Sequence, residues 1–186
     1  MRRTNIYYMD CCERILIDEG SLAKRVSEMA GRINADYEGK RLTVVGILKG
    51  SFVFIADLMR RITLENVEVD FMKVSSYGPF TDAMDAISVT QDLDADVRDK
   101  HVLIVEDILD TGRTIAFLLG TLKARGPASV KVCALMDKPG RRLVEIEADY
   151  TGFRIPDEFV VGYGLDYAQK YRHLPYIGVL RKDLVK

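Results

Sequence analysis

Near-continuous apolar runs alternate along this chain with segments in which apolar residues recur every three or four positions. The runs consist largely of branched aliphatic residues bounded by polar ones, a pattern typical of strands that are covered on both faces. They lie at 42–48, 102–105 and 130–136, with further predicted strands at 67–74, 159–163 and 176–180. Helical spacing occurs at 21–37 and 52–59, and again after Thr111 until Gly126 and Pro127 interrupt it. Alternating strands and helices predict an α/β fold with a central parallel sheet flanked by helices, and a small hood formed by the unpaired early and late segments.

The chain length favours one domain. With 186 residues, 48% hydrophobic and 30% charged, the chain can bury one substantial core. We therefore expect a single domain over 1–186, with a core at about 40–150 and a hood formed by N-terminal residues and about 151–186. No apolar run approaches the roughly 18 residues of a membrane span. The first residues also lack the apolar stretch of a signal peptide, so a cytoplasmic protein without membrane contact is expected.

Charge and composition disfavour several other classes of protein. Lys and Arg number 27 against 28 Asp and Glu, a net charge of −1, without the positive excess of a nucleic-acid-binding protein. The cysteines are Cys11, Cys12 and Cys133, a spacing that predicts neither a disulfide framework nor a zinc site. His101 and His173 have no sequence partners of the kind a histidine-based hydrolase needs.

The segment 102–115 carries the most specific chemistry of the chain. A strand ends at the acidic pair Glu106 and Asp107, and Thr111 is then predicted to cap a helix. In open α/β sheets, ligands bind beyond the carboxyl ends of the strands, where this turn falls. The free amides of a helix start, a close backbone approach at Gly112 and the hydroxyls of Thr111 and Thr114 predict a phosphate site.

The acidic pair would repel a bare phosphate, so it must face another part of the same ligand. Carboxylates accept hydrogen bonds from sugar hydroxyls and bind Mg²⁺ through oxygen. A ribose 5-phosphate with a bound metal ion therefore satisfies both halves of the segment. The competing interpretation is an ordinary strand-to-helix loop in which the aspartates only cap the helix.

An apolar strand, two acids and a threonine-rich phosphate loop together resemble the signature of the type I phosphoribosyltransferases. Asp110 followed by Thr-Gly resembles the 6-oxopurine branch, the hypoxanthine-guanine phosphoribosyltransferases. Further stretches resemble that branch in the same order: Leu48-Lys49-Gly50-Ser51, Ser75-Ser76-Tyr77-Gly78, Asp137-Lys138-Pro139, the run 155–163, Asp166 and Arg172. The resemblance covers residues 10–182 and implies a Rossmann-like type I phosphoribosyltransferase fold.

The resemblance also implies an activity. Members of this branch transfer the 5-phosphoribosyl group from phosphoribosyl pyrophosphate to N9 of hypoxanthine or guanine. They release pyrophosphate and IMP or GMP in purine salvage, depend on Mg²⁺, and form homodimers or homotetramers. Hypoxanthine, guanine and xanthine all remain candidate acceptors, because the contacts that separate them are largely main chain.

The resemblance assigns individual roles. Asp110 would be the catalytic base that takes the proton of purine N7, while Lys138 donates to the 6-oxygen. Phe159 would stack on the base, although a core position is the competing interpretation, and the Val160 backbone would read the edge of the base. The implied substrate-binding residues are Lys49, Gly50, Ser76, Tyr77, Glu106, Asp107, Ile108, Asp110, Thr111, Gly112, Arg113, Thr114, Lys138, Phe159, Val160, Asp166 and Arg172.

Within that set, Lys49, Gly50 and Arg172 match positions that contact the pyrophosphate. Glu106, Asp107 and Asp166 match the metal-binding positions. In that family the peptide bond that corresponds to Leu48–Lys49 is often cis, a property that the sequence itself does not show.

Residues 75–86, with Ser76 and Tyr77, match the loop that closes over the reacting groups in this family and excludes water. The segment 81–86 departs from the family, since relatives often carry a serine- or threonine-glycine pair there.

Two alternatives stay open at this point. A transferase for pyrimidines or 6-aminopurines is disfavoured by Asp110 and Lys138. A regulatory protein that keeps the nucleotide site and binds RNA is disfavoured by the near-zero net charge.

Overall fold

The computed structural model describes residues 10–76 and 87–185. In these ranges the strands are β1 (Cys12–Ile17), β2 (Leu42–Leu48), β3 (Val67–Ser76), β4 (Ile87–Gln91), β5 (His101–Leu109), β6 (Ser129–Asp137), β7 (Tyr150–Arg154), β8 (Val160–Val161) and β9 (Ile177–Leu180). The α-helices are α1 (Glu19–Asp36), α2 (Phe52–Met59) and α3 (Arg113–Lys123). One sheet has six strands in the order β4-β3-β2-β5-β6-β7, and the other has three in the order β1-β9-β8.

The six-stranded sheet is mixed. Strands β3, β2, β5, β6 and β7 are parallel to their neighbours, whereas β4 runs antiparallel to β3 at one edge. The α/β fold with a central sheet is confirmed, but a fully parallel sheet is wrong at this edge. An antiparallel neighbour can follow directly from β3, whereas a parallel one would need a crossover connection of a dozen or more residues.

Both faces of the large sheet are covered. Leu103 and Val105 of β5 pack into a cluster with residues of α1 and α2, while Val102 and Ile104 pack on the opposite face with residues of α3. All four side chains are fully buried. Successive side chains of a strand point to opposite faces, which explains why β5 is apolar at every position rather than at alternate ones.

The predicted helices and central strands are confirmed with small shifts. Strand β2 and helix α2 have the predicted bounds, and α1 begins at Glu19, where Asp18 Oδ1 accepts the Ser21 amide at 2.9 Å. Strand β5 continues to Leu109, so Glu106 and Asp107 lie inside the strand rather than after it. Strands β1, β4 and β7 were not predicted. All three are edge strands.

The three-stranded sheet has its own apolar cluster. Strand β9 pairs antiparallel with both β1 and β8. The cluster contains Cys12, Val161, Leu174, Tyr176 and Leu180. In the ranges 10–76 and 87–185, no helix has the length and apolar character needed to cross a membrane.

Strands β2 and β5 lie side by side at the centre of the large sheet. From β2 the chain continues to β3 on one side, whereas β5 leads to β6 and β7 on the other side. The strand order therefore reverses between β2 and β5. In open α/β sheets such a reversal leaves a crevice at the carboxyl ends of the two strands, where ligands bind.

Candidate active site

The acidic pair near the end of β5 is buried. Glu106 and Asp107 are each 8% exposed. Asp107 Oδ1 accepts the Ile108 amide at 2.8 Å, whereas Glu106 Oε2 has no hydrogen-bond partner among the described residues. Burial raises the pKa of both carboxyls, and the charge of Asp107 raises the pKa of Glu106 further. Such a pair is stabilised by a cation or by hydroxyl donors.

The turn after β2 lies directly against this pair. A Cβ atom placed on Gly50 would lie 1.6 Å from Asp107 Oδ2. Only a glycine permits so close an approach between the backbone of this turn and the carboxylate. The Leu48–Lys49 peptide bond is cis, as it often is in the family that the sequence resembles. Gly50 thus lies beside Asp107, although the two residues are remote in sequence.

The phosphate loop follows β5, but its helix cap differs from the prediction. Thr111 was expected to cap α3, and this is wrong: Gly112 is the N-cap residue, with a φ of 84° that favours glycine, and no side chain caps the helix. Thr111 Oγ1 instead accepts the Arg113 amide at 3.4 Å. The first helical bond runs from the Ala116 amide to the Gly112 carbonyl, so the amides before Ala116 cannot be satisfied within the helix.

A pocket of about 210 Å³ separates the acidic pair from the phosphate loop, and we call it the first pocket. Seven predicted site residues line it: Glu106, Asp107, Ile108, Asp110, Thr111, Gly112 and Thr114. Its remaining walls are the ends of β2, β3 and β5 and the start of α3. A helix N-terminus at one end and two carboxylates at the other suit an anionic group joined to a hydroxylated one.

A second pocket of about 320 Å³ adjoins the first. Ten predicted residues line it: Lys49, Gly50, Asp107, Ile108, Asp110, Lys138, Phe159, Val160, Asp166 and Arg172. Arg141 and Leu165, which were not predicted, complete the lining. Asp107, Ile108 and Asp110 line both pockets. The two pockets therefore form one cleft with the carboxyl end of β5 as its shared wall.

Asp110 carries an available acceptor in this cleft. Its Oδ1 atom has no hydrogen-bond partner within the described ranges, and the Arg141 Nε atom lies 3.5 Å from it. Lys138 is only 6% exposed, and its amide donates to the Leu109 carbonyl at 3.0 Å. This bond places Lys138 beside the turn that carries Asp110. A carboxylate and an ammonium group are thus presented to the second pocket together.

Phe159 is 46% exposed, so the competing interpretation as a core residue is wrong. Its ring meets the Tyr167 ring edge to face, with centroids 5.5 Å apart at 90°. The Phe159 carbonyl accepts the Leu180 amide at 2.8 Å, which fixes its backbone to the small sheet. An aromatic face is therefore held over the second pocket, next to the buried backbone of Val160.

Two cationic side chains meet at Gln169. Lys49 Nζ and an Arg172 NH2 group both donate to Gln169 Oε1, at 3.3 and 3.4 Å. Arg172 also pairs with Asp166 at 2.6 Å and donates to the Gly164 carbonyl at 2.7 Å. Sequence reasoning missed Gln169, since an isolated glutamine in a loop carries no recognisable signal. Two converging cations suit a strongly anionic ligand.

Among the predicted residues whose side chains are described, Arg113 alone does not join the cleft. Arg113 is exposed and lines neither pocket. Ser76 is the last residue of β3, and nothing is described of its side chain. Tyr77 and the rest of the predicted closing loop, 77–86, lie outside the described residues.

The predicted metal ligands differ in whether their carboxylates are free to bind an ion. No group of three His, Cys, Asp or Glu side chains converges as a metal site in the ranges 10–76 and 87–185. Mg²⁺ commonly takes one or two protein carboxylates together with substrate phosphates, so a pair suffices. Glu106 and Asp107 fit this role, because Glu106 Oε2 lacks a partner. Asp166 is already engaged by Arg172 and by the Gln169 amide at 2.8 Å.

Comparison with known proteins gives consistent matches. The family profile described as phosphoribosyl transferase domain matches residues 16–168. The hypoxanthine-guanine phosphoribosyltransferase of Streptococcus pneumoniae is 48% identical over 172 residues, 92% of this chain and 95% of that protein. A crystal structure of a hypoxanthine phosphoribosyltransferase from Staphylococcus aureus superposes with a TM-score of 0.93 at 42% identity, covering 98% of this chain and 99% of that one.

One group of relatives is longer. The bifunctional TilS/HprT protein of Listeria monocytogenes is 47% identical over 172 residues, which is 92% of this chain and 26% of the Listeria protein. The chain thus spans about a quarter of such a protein. The resemblance predicted from the sequence is confirmed by the profile and by the relatives alike. The chain belongs to the phosphoribosyltransferase family, and its relatives include a hypoxanthine-guanine and a hypoxanthine phosphoribosyltransferase.

Proposed function

We propose that this chain transfers the 5-phosphoribosyl group of phosphoribosyl pyrophosphate to N9 of a 6-oxopurine, hypoxanthine or guanine, giving IMP or GMP and pyrophosphate in purine salvage. One observation carries the proposal: Asp107, Ile108 and Asp110 line both pockets of the cleft. A sugar bound there would have its phosphate in the first pocket and its anomeric carbon facing the second. The family and the names of the relatives support the same reaction.

The donor occupies the length of the cleft in this proposal. Its 5-phosphate binds the amides at the start of α3 and the hydroxyls of Thr111 and Thr114, with Ile108 at the end of β5 and Arg113 in the first turn of α3 on either side. Its pyrophosphate binds Lys49, the Gly50 backbone and Arg172, displacing the contacts to Gln169. As the anomeric bond breaks, negative charge grows on the departing pyrophosphate, and these fixed cations stabilise it.

The acceptor base lies in the second pocket. Phe159 stacks on its face, the Val160 backbone contacts its edge, and Lys138 donates to its 6-oxygen. N9 attacks the anomeric carbon while Asp110 accepts the proton carried by N7, so the purine leaves the reaction neutral. The Oδ1 atom of Asp110 supports this role, because it accepts no hydrogen bond within the described ranges and its nearest cation, Arg141, lies 3.5 Å away. Ser76 and Tyr77 stay assigned to substrate by the resemblance alone.

The donor set also fits Mg²⁺. Glu106 and Asp107 would hold it together with the ribose hydroxyls, and Asp166 would serve a second ion once it is released from Arg172 and the Gln169 amide. Bound Mg²⁺ supplies positive charge that neutralises the pyrophosphate and orients the donor. The buried acidic pair would then be neutralised by its ligand rather than by protonation.

Three further proposals concern the whole chain. Residues 1–186 form one domain, with the six-stranded sheet as its core and the small sheet as its hood. The protein assembles as a homodimer or homotetramer, which sedimentation at enzyme concentration would establish. It acts in the cytoplasm, where its nucleotide substrates are found.

A panel of bases tests the reaction directly. Purified protein is incubated with phosphoribosyl pyrophosphate, Mg²⁺ and one of hypoxanthine, guanine, xanthine, adenine or uracil, and pyrophosphate release is followed. Release is expected with hypoxanthine or guanine and not with adenine or uracil. No base-dependent release, despite donor binding measured by calorimetry, would indicate a nucleotide-binding protein that lacks transfer activity.

Asp110→Asn tests the assigned base. The amide keeps the shape of the side chain but cannot accept the N7 proton at neutral pH, so kcat should fall by about a hundredfold or more. The donor KM should stay within about threefold, because the phosphate loop is intact. Asp92→Asn, which removes one partner of the Arg125 ion pair at 2.8 Å, is the matched control with unchanged kcat. An unchanged kcat in Asp110→Asn would refute the base assignment.

A further inference from the structure

Arg142 is a nearly buried cation behind the cleft, with a side chain that is only 15% exposed. It lines neither pocket. The neighbouring Arg141 differs sharply, because its side chain is 50% exposed and faces the Asp110 and Asp157 carboxylates at 3.5 and 3.8 Å. Two adjacent arginines thus have different surroundings, and the buried one has no role in the proposed chemistry.

The Arg142 guanidinium bonds to acceptors in three segments of the chain. Its Nε donates to the Asp110 carbonyl at 3.0 Å, and one terminal nitrogen donates to the Leu109 carbonyl at 3.3 Å. That nitrogen also pairs with the Asp137 carboxylate, and the other terminal nitrogen donates to the Ile146 carbonyl. The end of β5, the end of β6 and the segment after residue 142 are therefore held by one planar group.

Arg142 and the residues that follow it also contact the phosphate loop. The amides of Leu143 and Val144 donate to the Thr111 carbonyl at 2.9 and 3.2 Å. A Cβ atom on Gly112 would lie 3.0 Å from the Arg142 Cδ atom and 3.1 Å from the Val144 carbonyl. The loop that would hold the sugar phosphate therefore rests on Arg142 and the residues that follow it.

We propose that Arg142 is a positioning residue for the transfer reaction, one that fixes the backbone of Asp110 relative to Lys138. This inference rests on the proposed function. Asp137 immediately precedes Lys138, so the guanidinium ties the proposed proton acceptor to the strand end that presents the donor to the 6-oxygen. A guanidinium suits this task because its donors lie in a rigid plane, whereas a lysine ammonium is a single point of contact.

A double-mutant cycle distinguishes a role of Arg142 in positioning Asp110 from a role in stabilising the fold alone. Arg142→Gln should lower kcat by about a hundredfold, the effect expected when a catalytic group is misplaced by about 1 Å. If Arg142 acts through Asp110, the same substitution in an Asp110→Asn background should lower kcat by less than about threefold. Equal effects in the two backgrounds would overturn the proposal.

A matched arginine provides the control. Arg25 also donates to a main-chain carbonyl, that of Gly152 at 2.7 Å, and pairs with Glu28 at 2.9 Å, but it lies on α1 away from the cleft. Arg25→Gln should lower the melting temperature and leave kcat unchanged. If Arg25→Gln lowers kcat as much as Arg142→Gln does, loss of a structural arginine explains the effect and the proposal is overturned.

Arg142→Lys keeps the experiment informative if Arg142→Gln does not fold. The lysine retains the charge beside Asp137 but cannot reach the Asp110, Leu109 and Ile146 carbonyls together, so kcat should fall at least tenfold. A kcat equal to that of the wild type would overturn the proposal. Transfer by the wild-type protein is measured in the same series, and its absence would refute the proposed function. If the wild-type protein is active but the effects of Arg142→Gln and Asp110→Asn on kcat are independent, only the positioning role is refuted.

Discussion

Gly50 is the position where one added carbon atom should most directly push the turn after β2 away from the acidic residue Asp107. A methyl group at this residue would lie 1.6 Å from Asp107 Oδ2 and 2.5 Å from the Asp107 Cγ atom. The obstructing group cannot swing into solvent, because Asp107 is 8% exposed and its Oδ1 atom is held by the Ile108 amide. Gly50→Ala therefore forces the backbone itself to move.

The required displacement follows from the distances. Real Cβ atoms essentially never lie within 3.0 Å of another heavy atom, so the two groups must separate by about 1.4 Å. The turn is also confined on another side, since a Cβ on Gly164 would lie 2.1 Å from the Gly50 carbonyl. A shift of this size corresponds to about a hundredfold loss of kcat/KM. Overpacking should cost about 1–3 kcal/mol of stability.

Steady-state pyrophosphate release with hypoxanthine and varied donor measures the first effect, and thermal unfolding measures the second. Gly31→Ala is the matched control, because a Cβ at Gly31 meets nothing within 4 Å and the residue lies in α1. That variant should be more stable by about 0.5–1 kcal/mol and fully active. A folded Gly50→Ala protein with kcat/KM within threefold of the wild type would show that the turn does not contribute to donor binding as proposed.

Two further substitutions test the phosphate loop and a histidine far from it. Thr114→Val should raise the KM of the donor about tenfold or more, because a hydroxyl bonded to a charged phosphate contributes about 1.5–3 kcal/mol. Unaltered IMP binding, measured by calorimetry, would show that Thr114 does not belong to the site. Burial, then the charges of Lys40 and Lys131, lower the pKa of His101 from its ordinary value of 6.5. The unfolded chain therefore takes up this proton first, and the contribution of His101 to stability is present above pH 6.5 and lost as the pH falls below it. His101→Gln should flatten the decline in melting temperature between pH 7 and 5, and an unchanged slope would contradict this.

The sequence predicts best those elements that are buried on both faces or along one full stripe. Strand β2 and helix α2 have the predicted bounds because their apolar residues begin and end abruptly. Strand β5 extends beyond its prediction because Glu106 and Asp107 interrupt the apolar pattern, although Leu109 resumes it. The buried acids that mark the site thus conceal the end of the strand that carries them.

The edge strands are not predictable from pattern for a different reason. Strand β4 has no buried residue, and β1 has bulges next to Arg14 and between Ile15 and Ile17 that break its alternation. Such strands are stabilised by backbone pairing with another strand, which is β9 for β1 and β3 for β4. Their side chains carry little information about this pairing.

The site residues likewise divide into those that the sequence pattern predicts and those that it does not. The predicted site residues belong to short contiguous motifs, so Lys138 and Thr114 could be proposed from their neighbours in sequence. Gln169 and Arg142 act through side-chain bonds to remote segments. Nothing in a run of two arginines indicates that one is half exposed and the other nearly buried, since Arg142 meets acceptors at Asp110, Asp137 and Ile146 that only the folded chain brings together.

The pairing of β2 with β5 has a consequence for how the protein acquires activity. These neighbours are separated in the chain by α2, β3 and β4, so bringing them together requires the closure of a long loop before any contact is gained. Non-local pairing of this kind is slow relative to helix formation. During refolding the helical circular dichroism signal should therefore recover before catalysis does. A nascent chain that ends before β5 would contain the Lys49 turn but none of the acids that complete the cleft.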